Sequence, residues 1–390
     1  MSPQFDNTEI AFKHKSDSEL KLARFLFRSM NNAALTKAGI AATKFLLRVH
    51  APVKGLIRRT IFRQFCGGEN IVEAARAAER LAGFHIDAIL DYGVEGKEKE
   101  KAFNNAASEF VKAITYASTQ RNIPFVSLKI TGFARFGLLE KIHNGEKLSA
   151  NEAKEWQRVH RRIKTICSRA FQSNIMILID AEETWIQEPV NELAEAMMEL
   201  FNKEKAIIFN TYQLYSVGTL QFLKESLHKA AARGYILGAK LVRGAYMEKE
   251  RARAAEKGYP DPIQPNKQIT DRDFDEAVKF CLQNLDKLAL FIGTHNEKSC
   301  LDAVKYMQQH HMNPVTPGIY FSQLYGMGDN ISFNLAHYGY HVSKYMPYGP
   351  VSDVVPYLMR RAEENTSVAG QTSRELSLID KEIKRRQTVG

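Results

Sequence analysis

Two arginines stand side by side, Arg360 and Arg361, inside the stretch Tyr345–Asn365. On a helix their side chains leave the axis about 100° apart, and both are long and forked enough to close on one small anion. Carboxylate and phosphate match that fork best. Glu364 follows Arg360 by four residues and Arg361 by three, so it is placed to orient a guanidinium or to accept from a ligand hydroxyl. Taken alone, the group also reads as a solvated arginine pair with a surface salt bridge.

Other polar residues interrupt apolar runs elsewhere: Glu95, Lys129, Asp180, Asn210 with Tyr212 and Gln213, Lys240 with Arg243, Thr294-His295-Asn296, Gln323 and Tyr345. Lys129 closes an otherwise apolar run, so it is either a paired buried lysine or a ligand-binding one, and Asp180 and Glu95 are its natural ion-pair partners. Thr294-His295 fits a satisfied core pair or a site. No second His or carboxylate stands at metal-ligand spacing, so no metal is expected.

These residues need strands to deliver them. The candidate strands are Ala88–Tyr92, Phe125–Ile130, Ile175–Asp180, Ala206–Asn210, Ile236–Val242, Ala289–Gly293, Ile319–Gln323 and Val342–Tyr345. Between them lie amphipathic segments Lys97–Arg121, Asn151–Gln172, Thr184–Lys203, Leu214–Arg233, Asp273–Lys287, Glu297–His311 and Asn330–Tyr338, with Pro350–Asn365 last. In the last segment Val354, Leu358 and Ala362 fall four apart, as do Val355 and Met359, giving it one apolar face. Eight strand–helix units are what a closed parallel barrel requires, and an open doubly wound sheet has the same count. In a barrel, the polar residues named above would gather where strands run into the following helices. Met247–Thr270 departs from the repeat as a charged helix followed by a Pro-rich loop, and Glu375–Arg386 reads as a short basic terminal helix.

Composition sets further bounds. With 44% hydrophobic residues the chain of 390 can bury a large core. Cys66, Cys167, Cys281 and Cys300 lack paired spacing, which suggests reduced thiols and a cytoplasmic-type setting. The first residues lack a secretory pattern, and no apolar run is long enough to span a bilayer. The net charge of +10 is concentrated in Leu20–Gly68, which holds Lys21, Arg24, Arg28, Lys37, Lys44, Arg48, Lys54, Arg58, Arg59 and Arg63 and no Asp or Glu. With apolar residues interleaved, this segment reads as basic amphipathic helices broken near Pro52. Such helices suit an anionic lipid surface, or an arm packed on its own protein with a basic outer face. No Cys/His finger or aromatic RNA-binding signature accompanies the charge, so nucleic acid is not expected as a partner.

Five longer motifs carry more specific information: LVRGAY (Leu241–Tyr246), IDAEE (Ile179–Glu183), GTHN (Gly293–Asn296), YGMGD (Tyr325–Asp329) and YGPVSDVVPYLMRRAEEN (Tyr348–Asn365). In this order the sequence resembles the proline dehydrogenase family, in its stand-alone flavoenzyme form. The resemblance implies an α/β fold, a distorted (β/α)8 TIM-like barrel over residues 88–365, with a helical arm over 1–87 and a C-terminal tail over 366–390. It implies FAD as cofactor, oxidation of L-proline to Δ1-pyrroline-5-carboxylate, and a membrane quinone as acceptor. A separate pyrroline-5-carboxylate dehydrogenase would act downstream, and the protein would sit peripherally at the inner face of the membrane. Carried over by position, it gives the substrate carboxylate to Arg360, Arg361 and Lys129, and stacks Tyr345 on the proline ring. Asp180 would hold the pocket's charge network, with Glu95 as a looser match, and Asp180, Lys240 and Tyr345 would be the catalytic residues. Leu324 and Tyr246 would shape the pocket or shield the flavin. The flavin contacts implied are Ala181, Asn210, Lys240, Arg243, Gly244, Ala245, Lys267, Thr294, His295 and Glu364.

Three positions depart from the family pattern: Lys240 stands for a frequent Arg, Asn210 for a more usual Gln, and Asn266 for an Arg beside Lys267. Gly326-x-Gly328 lacks the third glycine of a dinucleotide fingerprint and is set aside. Tyr345 favours proline over 4-hydroxyproline, since its bulk leaves little room for the hydroxyl. A Schiff-base lyase using Lys129 or Lys240, and a non-catalytic basic scaffold, are the competing classes.

Overall fold

The computed structural model describes residues 2–48, 53–93, 98–367 and 371–389, with the side chains of 33, 44, 45, 47, 48, 363–367, 371 and 389 left aside. Eight strands close into one parallel barrel in chain order: β1 (Ile86–Tyr92), β2 (Phe125–Leu128), β3 (Met176–Ile179), β4 (Ile208–Gln213), β5 (Leu237–Val242), β6 (Leu288–Gly293), β7 (Ile319–Leu324) and β8 (Val342–Tyr348). All eight expected strands are present, and the open-sheet alternative falls away. The chain separates into two compact units, Val94–Phe321 and a second made of Met1–Gly93 with Ser322–Gly390.

In the unit Val94–Phe321, strands β2 to β6 are buried along nearly their whole length because parallel strands are covered on both faces, and all but the polar β4 are mainly apolar. Registers such as Leu128 with Ile179 and Gln213 with Val242 bring the strand ends level. Gly238 is required for this closeness, since a Cβ there would lie 2.1 Å from the Ile208 carbonyl oxygen. Helix starts follow their caps more closely than their periodicity. Helix Ala150–Gln172 carries a reciprocal Ser149/Glu152 capping box. Helix Thr219–Arg233 starts five residues later than the apolar pattern suggests, because Gly218 sits at φ 83 and interrupts the run. Helix Lys267–Leu282 starts early, since the Asn266 side chain accepts from the Ile269 amide at 3.0 Å. The short helix Phe136–His143 has no counterpart in the sequence expectation.

The unit containing both chain ends holds the β1–β8 pair, in which Ile89 lies opposite Tyr345. Strand β8 runs three residues past Tyr345, so that tyrosine is mid-strand rather than terminal. The basic segment forms helices Asp17–Met30 and Ala33–Arg48, then the short run Lys54–Ile57 and a π-turn at Arg58–Phe62; the expected break near Pro52 lies outside the described residues. Its apolar face is buried: Leu20, Phe27, Met30, Phe62 and Phe65 share one core with Val354, Leu358 and Ile379. Lys21, Arg24, Arg28, Lys37 and Arg59 remain exposed. Among the described residues no helix is long and apolar enough to cross a membrane.

A charged cluster under β8 ties this unit together. The ammonium of Lys344, 1% exposed, pairs with Asp329 at 2.7 Å and donates to the Met327 carbonyl at 2.5 Å. His14 and Lys15 reach the other Asp329 oxygen, each at 3.4 Å, and Glu375 accepts from the Gly328 amide at 2.5 Å. Burial alone would raise the Asp329 carboxyl, but Lys344 and Lys15 outweigh it and hold it well below the usual range. Removing one partner of such a pair leaves the other charged in the interior. Asp329→Ala is therefore expected to cost about 3–5 kcal/mol in urea unfolding. The double change Asp329→Leu with Lys344→Met should lose less; equal losses would argue against the pairing.

Candidate active site

In the unit Val94–Phe321, the strand ends carry a chain of charges. Asp180 follows β3 directly, its amide donating to the Leu128 carbonyl at 2.9 Å. Lys240 lies within β5 and donates through Nζ to Asp180 Oδ1 at 2.5 Å, both side chains largely buried at 7% and 12% exposure. An unmatched ammonium at that depth would be costly, so the carboxylate fixes where the lysine points. Lys129, half-buried, comes just after β2 and leads into a 3-10 turn at Ile130–Gly132, which cuts the expected strand short.

Arg243 follows β5 and each of its guanidinium nitrogens donates once to a protein acceptor. Nε donates to Asp271 at 2.7 Å, Nη1 to Thr294 Oγ1 at 2.7 Å and Nη2 to Ser299 Oγ at 3.0 Å. Its Cζ also lies 4.3 Å from the centroid of the Phe274 ring. The Pro-rich loop sets this up. Val217 and Gln264 amides bond across to the Pro262 and Tyr215 carbonyls at 2.9 and 2.7 Å, and Asn266 then opens the helix that presents Lys267 and Asp271. Lys267 donates to Asp271 at 2.5 Å. Burial would raise the Asp271 carboxyl, but its bonds from Lys267 and Arg243 bring it below the ordinary value.

Gly244 and Ala245 are exposed beside Arg243, and the backbone there has little latitude. Gly244 sits at φ 141, and a Cβ on it would come within 2.3 Å of the Tyr215 ring. Ala181 is buried, and Tyr246 and His295 are half-buried. Asn210 is not at the end of its strand: β4 runs to Gln213, and the Asn210 amide donates sideways to Asn191 at 3.0 Å. Gln213 holds the terminal position and donates to the Glu182 carbonyl at 2.7 Å.

Glu182 is the residue the sequence reading did not single out. It is 3% exposed, and its carboxyl receives the Thr131 amide at 3.0 Å and the Thr131 hydroxyl at 2.5 Å. Burial raises it to about 7, against the Thr131 hydrogen bonds and the nearby Lys129 charge, so it changes charge near neutrality. Its position in IDAEE was visible, but only the fold reveals that it turns inward beside Thr131.

The unit containing both chain ends holds the remaining residues. Tyr345 is buried in β8, and Leu324 ends β7. Helix Val351–Ser367 carries Arg360, half-buried, and Arg361, 8% exposed with its guanidinium carbon 5.3 Å from the Tyr357 ring centroid. Glu95 and the Glu364 side chain lie outside the described residues. The described residues contain no group of three or more His, Cys, Asp or Glu suited to a metal ion.

Folded Glu182 keeps its proton up to about pH 7, while the unfolded chain releases it near the ordinary glutamate value of 4.5. Its contribution to stability is therefore fully present below that lower value and is lost as pH rises through the upper one. Glu182→Gln keeps an acceptor for the Thr131 amide and can donate its own amide to the Thr131 hydroxyl oxygen, but cannot ionise. Relative to wild type the variant should gain about 2–3 kcal/mol between roughly pH 4.5 and 8 in urea unfolding. A pH-independent difference would contradict the assignment.

The family model described as proline dehydrogenase matches residues 74–374. The chain is 31% identical over 429 residues to proline dehydrogenase 1, mitochondrial, of Dictyostelium discoideum, covering 97% of this chain and 74% of that protein. It is 32% identical over 413 residues to hydroxyproline dehydrogenase of Xenopus laevis, covering 96% and 88%. Among solved structures, proline utilization A from Bdellovibrio bacteriovorus aligns with a TM-score of 0.71 at 19% identity, over 92% of this chain and 38% of that one. That last likeness supports the barrel alone. The extent of the family match, with curated relatives above 30% identity along nearly the whole length, shows that this chain belongs to the proline dehydrogenase family.

Proposed function

We propose that this chain, an oxidoreductase of its family, oxidises L-proline to Δ1-pyrroline-5-carboxylate with FAD as hydride acceptor and a membrane quinone as the final acceptor. The observation that carries the cofactor reading is the Arg243 cluster, a guanidinium held on Asp271, Thr294 and Ser299 with Lys267 alongside and exposed backbone at Gly244 and Ala245. Such a donor set fits an anionic pyrophosphate beside an aromatic ring system. FAD when bound supplies a two-electron acceptor that takes hydride from the carbon next to the substrate nitrogen.

The chain's own part is positioning and charge. Arg360 and Arg361 hold the substrate carboxylate, with Lys129 assisting and Tyr345 and Leu324 setting the shape against the ring. Lys240, oriented by Asp180, places positive charge where electron density accumulates, and Ala181, Asn210, Thr294, His295 and Glu364 complete the cofactor contacts that the family resemblance implies. No nucleophile is needed, since the bond broken is C–H. The substrate nitrogen must be neutral before hydride leaves its neighbouring carbon. In this reading residues 88–365 are the flavin-binding barrel, 1–87 the basic arm and 366–390 the tail, with the outer charges of 20–68 available for an anionic lipid surface.

A second reading is oxidation of hydroxyproline, favoured by the 32% identity to the Xenopus laevis enzyme of that name. Tyr345 argues for proline, because its ring leaves little room for a ring hydroxyl. Membership of an oxidoreductase family sets aside the Schiff-base lyase.

Purified protein should be yellow, and anaerobic L-proline should bleach its visible absorption while 4-hydroxyproline does so at least tenfold less effectively. Equal bleaching by both would favour the second reading, and none by either would sink the first. Arg361→Met should retain the colour yet lose about 100-fold in kcat/KM for proline, as expected for a lost charge-assisted bond of about 2–3 kcal/mol. Unchanged kinetics would remove the clamp from the account.

A further inference from the structure

The unit containing both chain ends holds a second cationic feature that the oxidation does not use. A cleft of about 490 Å³ is lined by Arg58, Arg59, Arg63 and Arg80, with Glu73 and Tyr325. Four guanidiniums line it against one lining carboxylate, and even with Glu69 and Glu19 paired from the rim positive charge remains in excess. Two of them are held in place: Arg58 pairs with Glu69 at 2.8 Å and Glu73 at 3.0 Å, and Arg63 with Glu19 at 3.2 Å. The other two, Arg59 and Arg80, have no ion-pair partner among the described residues.

The walls are built rather than incidental. Arg58 and Arg59 lie on the π-turn Arg58–Phe62, a helical form that appears often at functional sites. The floor is the Cys66–Gly68 segment, stitched to β8: the Gly67 amide donates to the Pro347 carbonyl at 2.8 Å, and the Gly349 amide to the Gly68 carbonyl at 3.0 Å. Gly68 must be glycine here, since a Cβ would lie 2.2 Å from the Glu73 Cβ. Glu73 is thereby drawn against the floor, where it also accepts from the Glu69 amide at 3.0 Å.

We propose that this cleft binds the phosphate group of a phosphoester, with Arg59 and Arg80 as the ligands' principal charge partners and Arg58 and Arg63 as oriented flanking forks. Planar guanidiniums in number favour phosphate over a single carboxylate, because its several oxygens accept more than one fork. The volume exceeds that of inorganic phosphate, so the natural ligand carries an organic portion. Leu56, 67% exposed two residues before Arg58, offers an apolar contact to it. The same chemistry is presented by a soluble phosphoester and by an anionic phospholipid headgroup. The site stands independently of the assigned oxidation.

The test uses the full-length, flavin-loaded chain and two probes. Titration calorimetry with inorganic phosphate at constant ionic strength should give saturable binding that weakens at least tenfold in Arg59→Ala/Arg80→Ala. The control Arg28→Ala/Lys37→Ala removes the same charge elsewhere and should bind as wild type. Flotation with phosphatidylglycerol vesicles, against pure phosphatidylcholine, then separates the sources. Arg59/Arg80-dependent flotation that phosphate competes away assigns a headgroup, and phosphate binding without preferential flotation assigns a soluble phosphoester. Absence of saturable phosphate binding, or equal weakening by the control pair, overturns the site. Should the double variant melt early by circular dichroism, Arg59→Gln and Arg80→Gln taken singly give the same comparison, each with an expected loss of about threefold.

Discussion

A cation withdrawn from water has to meet an anion within a few ångströms, and two buried lysines show how this chain meets that demand. In one unit Lys240 is anchored on Asp180, and in the other Lys344 on Asp329. The two pairs have opposite consequences. Lys344 is enclosed, and its pair joins the β8 strand to the Met327–Asp329 turn and to the N-terminal His14-Lys15. Lys240 lies instead beside a row of charged strand ends, so its carboxylate orients an ammonium within the proposed site. The same interaction serves as a tie beam in one place and as a bracket in the other. The difference lies in what surrounds each pair, not in the residues themselves.

Alternation of apolar runs with amphipathic segments was enough to place all eight strands, because strands covered on both faces must be apolar throughout. Their ends were harder. β4 and β8 each run on through polar or aromatic residues, to Gln213 and Tyr348, since hydrogen bonding to a neighbouring strand continues past the point where the side chains stop being apolar. Helix starts were misjudged for a related reason: Gly218 delays one and Asn266 advances another, and backbone conformation and capping outrank periodicity at the first turn.

Within the site, residue types were legible where a charge interrupted an apolar run, as with Lys129, Asp180 and Lys240. Partners were not. Asp271 comes from one helix and Thr294 and Ser299 from the stretch after β6, and only the fold brings them to one guanidinium. Glu182 shows the limit most clearly. In sequence it is one of two adjacent glutamates; in the fold it is buried on Thr131 with a carboxyl near neutrality, while its neighbour Glu183 pairs with Lys249. A factor of this kind depends on which way a strand end turns, and a one-residue displacement would exchange the two.

The basic arm illustrates how a single segment can be read correctly in pattern and still leave its purpose open. Its apolar face is not available to a bilayer, because Phe27, Phe62 and Phe65 are already buried in one core with Val354 and Leu358 of helix Val351–Ser367. That helix carries Arg360 and Arg361. By covering its apolar face, the arm determines which face is left for the arginines, and so acts on the proposed carboxylate clamp through packing alone. Any attraction to an anionic surface then has to come from the outer charges and the few exposed apolar side chains, Phe25, Leu35 and Leu56. Charge without a deep apolar anchor gives contact that is reversible and weakened by salt. An arm built this way positions a helix first, and the proposed surface contact can rest only on its outer charges.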